Sequence, residues 1–201
     1  MWSRVNDISV DFECGSEDYR IPMSERFSID TDSGLIEPAR QCPSPNCDDR
    51  PDGATPELLV VHGISLPPGK YGGPEIDQLF TNCLDPLAHP YFRDVAHLEV
   101  SSHLLIRRTG EVVQYVPFRK RAWHAGESCY AGCPACNDFS IGVELEDVDE
   151  EAYTPEQYDR LVEVSGALID AFPELFEVFT RGFPQTGPRG LWVRLKRTGD
   201  L

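Results

Sequence analysis

Phe139-Ser140-Ile141-Gly142-Val143-Glu144-Leu145 alternates apolar with small or polar residues, and a period of two predicts a strand. Ile141, Val143 and Leu145 fall on one face, Gly142 and Glu144 on the other. Upstream, Glu57-Leu58-Leu59-Val60-Val61-His62 is a short apolar run between turn signals, which predicts a buried strand ending at His62. Gly63 to Gly73 holds two prolines and four glycines and reads as a loop. Pro74 suits the first turn of a short helix with Ile76, Leu79 and Phe80 facing inward. Residues 103–107 and 111–116 are apolar and β-rich, and Arg108-Thr109-Gly110 joins them as a hairpin. In Thr154-Pro155-Glu156-Gln157, Thr is the cap, Pro takes the first helical position and Gln closes a capping box. Tyr158, Leu161, Val162, Leu168, Ile169 and Phe172 then recur at helical spacing until Pro173. Interleaved strands and helices with one hairpin predict an α/β fold, a mixed β-sheet flanked by helices.

The 201 residues fit one domain with a tail at either end. A hydrophobic content of 40% supplies a core. The net charge of -16 excludes a general electrostatic grip on nucleic acid or an anionic membrane. No apolar run approaches the roughly 20 residues of a membrane span, and the acidic start lacks the apolar stretch of a secretory signal. A cytoplasmic protein is therefore expected. Residues 1–26 are polar and without periodicity, a disordered extension or a start assigned too early, with Met23 as the alternative. Residues 41–56, dense in Pro, Asn, Asp and Gly, read as a loop. The seven cysteines cannot all pair. Cys133-Pro134-Ala135-Cys136 has no second CxxC to complete a zinc ribbon, and the spacing of Cys42 and Cys47 does not match one. Reduced, non-ligand cysteines are expected, with a metal on Cys129, Cys133 and Cys136 as the alternative.

Few residues are candidates for chemistry. His62, where a strand opens into a Gly/Pro loop, is either a zinc ligand or a histidine bonded within the sheet edge. Glu144 shares a strand face with Gly142. If desolvated, its proton affinity would rise into the range of a general base; otherwise it is a solvated carboxylate, and Glu146 on the same face competes for the role. Trp123-His124-Ala125-Gly126 joins an aromatic face suited to a sugar, an imidazole and a glycine that permits close approach; the alternative is a core tryptophan beside a surface histidine. His89, His97 and His103 read as structural or solvent-facing.

Several longer runs carry a resemblance: Leu58 to Gly69, Tyr71 to Pro74, Asp85 to Phe92, His103 to Arg108, Val113 to Phe118, Arg121 to Gly126, and Cys136 to Glu146. Together, over residues 30 to 177, the chain resembles the AmpD-type N-acetylmuramoyl-L-alanine amidases. The resemblance implies a mixed sheet with helices related to peptidoglycan-recognition domains. It implies hydrolysis of the amide between (1,6-anhydro-)N-acetylmuramic acid and L-alanine in peptidoglycan-derived muropeptides, in cell-wall recycling. It also implies a zinc ion held by two His and one Asp. His62 matches the first histidine ligand and Glu144 the catalytic glutamate, while Trp123 and His124 are expected to bind substrate.

Two departures stand out. Where the family carries a Gly-His pair and then Lys-x-Asp-Pro-Gly, this chain has Phe179-Thr180-Arg181-Gly182-Phe183-Pro184 and Gly187-Pro188-Arg189-Gly190-Leu191-Trp192. No His follows His124, and Asp200 is the only acidic residue after Glu177. The tail, 178–201, turns rich in Arg, Gly and Pro, as a shifted reading frame of a GC-rich gene would, and genuine divergence is the rival. The expected amidase domain is thus 27–177, with activity impaired by the missing ligands; a non-catalytic muropeptide-binding protein is the alternative. Second, Ala135 stands in a stretch where the family has arginines suited to the stem-peptide carboxylate.

Overall fold

A computed structural model of the chain describes residues 26–148 and 151–175, and the strand backbone at 177–180. The first strands are β1 (Ser28–Asp30), β2 (Leu35–Glu37), β3 (Arg40–Gln41), β4 (Cys47–Asp49) and β5 (Leu58–Ile64). Helices α1 (Glu75–Phe80) and α2 (Phe92–Val95) follow. Next come β6 (Leu104–Ile106), β7 (Val112–Gln114), β8 (Lys120–Ala122), β9 (Cys129–Tyr130), β10 (Cys133–Pro134) and β11 (Ser140–Glu146). Helix α3 (Pro155–Ala171) and β12 (Glu177–Thr180) complete the described elements. The sequence 1–25 and the tail from 181 lie outside the described residues.

Six strands form a mixed sheet in the order β12-β5-β11-β6-β7-β3. β5 and β6 both run parallel to β11, and β6 pairs with β7 antiparallel as the expected hairpin. All seven residues of β11 are buried, because a central strand flanked on both edges and covered on both faces leaves no solvated side. The faces nonetheless stay distinct. Leu59, Val61, Leu104, Ile106, Ile141, Val143 and Leu145 pack against Leu161, Val164, Leu168 and Ile169 of α3. Leu105 and Val113 face the other way, onto Ile76, Leu79 and Phe80 of α1.

The start of α3 follows its sequence. The Thr154 side chain accepts from Gln157 N–H and the Gln157 side chain accepts from Thr154 N–H, the reciprocal capping box. The buried stripe is Leu161, Val164, Leu168 and Ile169, with Val162 only partly covered.

Two expectations need correction. His62 does not end its strand, since β5 runs on to Ile64 opposite Glu146. The segment 41–56 is not all loop: β4 pairs antiparallel with β8. Strand β12 extends the sheet parallel to β5, Thr180 pairing with Val61, although the composition changes at that point. No described helix is long and apolar enough to cross a membrane.

Candidate active site

The register of β5 and β11 builds the site. Glu144 is the Cα partner of His62, and Glu144 also pairs with Leu105 of β6. Side chains on one rung share a face, so His62 and Glu144 both project from the α1 side of the sheet. One rung back lie Val60, Gly142 and His103, and one further lie Leu58 and Ser140.

His124, from the segment after β8, packs onto this face because Gly142 has no side chain. A Cβ at Gly142 would lie 2.5 Å from His124 Cγ. The ring spans two partners, with Nδ1 2.9 Å from His62 Nε2 and Nε2 3.1 Å from Ser140 Oγ. Asn137 Oδ1 accepts from the backbone N–H groups of His124 and Ala125 and fixes the turn. Burial, then the neighbouring His103 and His62, hold the His124 imidazole well below its ordinary pKa, so the ring is neutral.

Glu144 is buried, and among the described residues its Oε2 has no hydrogen-bond partner. Desolvation pushes its pKa up to about 8. Glu146, the competing carboxylate, is spent on structure: it accepts from Gly72 N–H at 2.6 Å and Arg108 N–H at 3.2 Å and pairs with Arg107 at 3.4 Å. It ties the Gly/Pro loop to the sheet, and Glu144 is left as the carboxylate with an uncommitted oxygen.

Beneath the site lies a layer that sequence reasoning missed. His103 is fully buried; its Nδ1 accepts from Gly142 N–H at 3.0 Å and its Nε2–H donates to Lys120 O at 3.1 Å. Burial and the Arg50 charge lower its pKa to about 3. The Arg50 guanidinium donates to the carbonyls of Phe118, Asn137, Asp138 and Ser140, and desolvation brings its pKa down to about 10. The only sequence signal was spacing: Ser140 and Gly142 share the face of Glu144 at intervals of two.

Trp123 is half-buried, and its Nε1–H donates to Asp48 Oδ1 at 3.2 Å. Arg121 clamps the same carboxylate and also reaches Asp138. His89 and His97 are exposed and lie outside this group.

Comparison with known proteins adds the decisive observation: residues 52–178 match the family model of N-acetylmuramoyl-L-alanine amidase. This chain belongs to that family, in its AmpD-type branch. It is 60% identical over 149 residues to the 1,6-anhydro-N-acetylmuramyl-L-alanine amidase AmpD of Escherichia coli K12, covering 74% of this chain and 81% of that relative. The AmpD of Haemophilus influenzae is 44% identical over 146 residues, covering 73% and 79%. A crystal structure of a selenomethionine AmpD derivative superposes with a TM-score of 0.73 at 58% identity, covering 76% of this chain and 84% of that one.

The zinc expected of this amidase needs three protein donors around an open position. Among the described residues, no group of three His, Cys, Asp or Glu is arranged to hold a metal ion, and His62 Nε2 faces a histidine nitrogen instead. Beyond Glu177 the sequence offers no His or Cys, and Asp200 is its one acidic residue. The described residues do not fit a three-ligand zinc site. The cysteine alternative fares no better: Cys129 and Cys133 are exposed on the β9–β10 ladder, Cys136 is buried, and all three are free thiols.

Proposed function

We propose that the cleft on the α1 side of the sheet takes peptidoglycan-derived muropeptides, with the amide between 1,6-anhydro-N-acetylmuramic acid and L-alanine at Glu144. The reaction is hydrolysis: the C–N bond breaks, water's oxygen joins the lactyl carbonyl carbon, and a proton moves to the departing amine. Glu144 is the proton carrier. The observation behind this is its buried, unpartnered Oε2 one strand from His62, in a carboxyl whose pKa of about 8 lies close to neutrality. A group so poised both takes a proton and returns it. Trp123 is the sugar platform, its edge anchored by Asp48.

In this chain we read the hydrolysis as impaired. Zinc dependence belongs to the lineage, and no three-donor set for it is assembled among the described residues. A reading-frame shift near codons 178 to 182 is our account of the loss. Translating the other frames of that stretch tests it, and absence of Gly-His and Lys-x-Asp-Pro-Gly from every frame overturns it. The six free cysteines among the described residues suit a reducing, cytoplasmic setting, and the net charge of -16 argues against a nucleic-acid partner.

One observation favours a second reading, a muropeptide-binding protein without catalysis: His62 Nε2 is engaged by His124. Calorimetric titration with 1,6-anhydro-N-acetylmuramyl-L-alanyl peptide, with and without chelator, tests both, followed by mass analysis of the products. Binding with slow cleavage supports the impaired amidase. Binding that survives chelation without any cleavage supports the binding protein. No binding under either condition removes both.

A further inference from the structure

A buried hydroxyl sets the proton positions of this site. Ser140 is fully buried, and its Oγ meets His124 Nε2 and no other hydrogen-bond partner among the described residues. A hydroxyl has one proton to place. Leaving a buried donor without an acceptor costs about 1–3 kcal/mol, so Ser140 donates and His124 Nε2 accepts. A neutral imidazole carries a single N–H, which puts the His124 proton on Nδ1. That nitrogen lies 2.9 Å from His62 Nε2, so His62 Nε2 accepts, and the His62 ring proton is on Nδ1.

We infer that Ser140 and His124 form a one-way donor chain that locks His62 in its Nδ1–H tautomer, with His124 acting as a positioning residue for His62 and not as a sugar contact. The ring has little freedom to escape this role. Gly142 backs it closely enough that a methyl group would collide, and Asn137 holds its backbone. His103 shows the opposite assignment on the neighbouring rung: its Nδ1 accepts from Gly142 N–H, so its proton is on Nε2 toward Lys120 O.

The consequence deepens the mismatch with zinc, and rests on the reading of His62 as the site histidine. In this arrangement Nε2 is already an acceptor and Nδ1 already carries a proton. A cation could take a lone pair of His62 only if His124 adopted its other tautomer, leaving the Ser140 hydroxyl proton without its acceptor.

Long-range proton–nitrogen NMR spectra of the nitrogen-15-labelled full chain at neutral pH read the tautomer of each imidazole directly. Signals are assigned by their loss in His62→Asn and His124→Asn. The expected result is His62 and His124 as Nδ1–H tautomers and His103 as Nε2–H. In Ser140→Ala, both His62 and His124 gain Nε2–H population, and Ser140→Thr, which keeps the hydroxyl, restores the original pattern. An Nε2–H tautomer at His62 or His124 in the unsubstituted chain, or a Ser140→Ala spectrum that does not change, overturns the inference. If Ser140→Ala fails to fold, the unsubstituted spectrum alone decides. Because no substrate is present, a failure of muropeptide binding leaves this readout untouched.

Discussion

His62 and Glu144 are Cα partners on adjacent parallel strands, so imidazole and carboxyl leave the sheet side by side on the same face. The carboxyl's burial has a consequence for stability. Its folded pKa, about 8, lies above the unfolded value near 4.5, so the folded state binds the extra proton between those pH values. Stability therefore falls as pH rises from about 4.5 through about 8 and then levels. Glu144→Gln removes this slope: the variant is expected to match the parent near the lower end and exceed it above the upper, by about 5 kcal/mol at most. Urea unfolding across that range measures it; an unchanged slope in Glu144→Gln refutes the assignment.

His103 works in the other direction. Its pKa is lowered in the fold from 6.5 to about 3, so the unfolded chain binds the extra proton in that window. Stability falls as pH drops from 6.5 toward about 3. His103→Gln is expected to flatten this acid limb. At neutral pH it loses about 1–3 kcal/mol, because Gly142 N–H or Lys120 O is left without its partner. Thermal unfolding of both chains at several acidic pH values tests the two statements separately.

Gly142→Ala is expected to be costly despite its small size. The added methyl meets the His124 ring at 2.5 Å, and the ring must move off Ser140 and His62. A loss of about 1–3 kcal/mol follows from the overpacking, together with altered histidine ring signals. A variant as stable as the parent with unaltered imidazole spectra would show that the ring is not seated on Gly142.

Asp48→Asn should weaken muropeptide binding more than it weakens the fold. Asp48 holds the Trp123 indole and the Arg121 fork, and all three residues are partly solvent-accessible, so the ion pair adds little stability. Arg121 and the tryptophan hydrogen bond hold the Asp48 carboxyl below the usual carboxylate range. Muropeptide titrations followed by tryptophan fluorescence give the affinity; equal affinities in the two chains would remove Asp48 from the platform.

Much of this architecture was legible because β11 and α3 state their geometry locally. The alternation around Glu144 separated the two sheet faces, and Thr154 to Gln157 marked the helix start. The pairing of the short strands β4 and β8 was not legible: it joins residues more than seventy positions apart, and β4 lies within Pro- and Asp-rich sequence that reads as loop. Glu144 could not be chosen over Glu146 from spacing, since both share a face. Arg107, Gly72 and Arg108 N–H, all distant in sequence, take up Glu146. His124 looked like a sugar contact beside Trp123, because only the folded chain brings it onto Gly142 and against His62.

Elemental mass spectrometry of the purified full chain, set beside its His62→Ala variant, addresses the heart of this account. An amidase-family scaffold with His62 engaged by His124 and no three-donor group among the described residues should carry well under one zinc per chain, and His62→Ala should not change that content. One zinc per chain, lost when His62 is replaced, would contradict it.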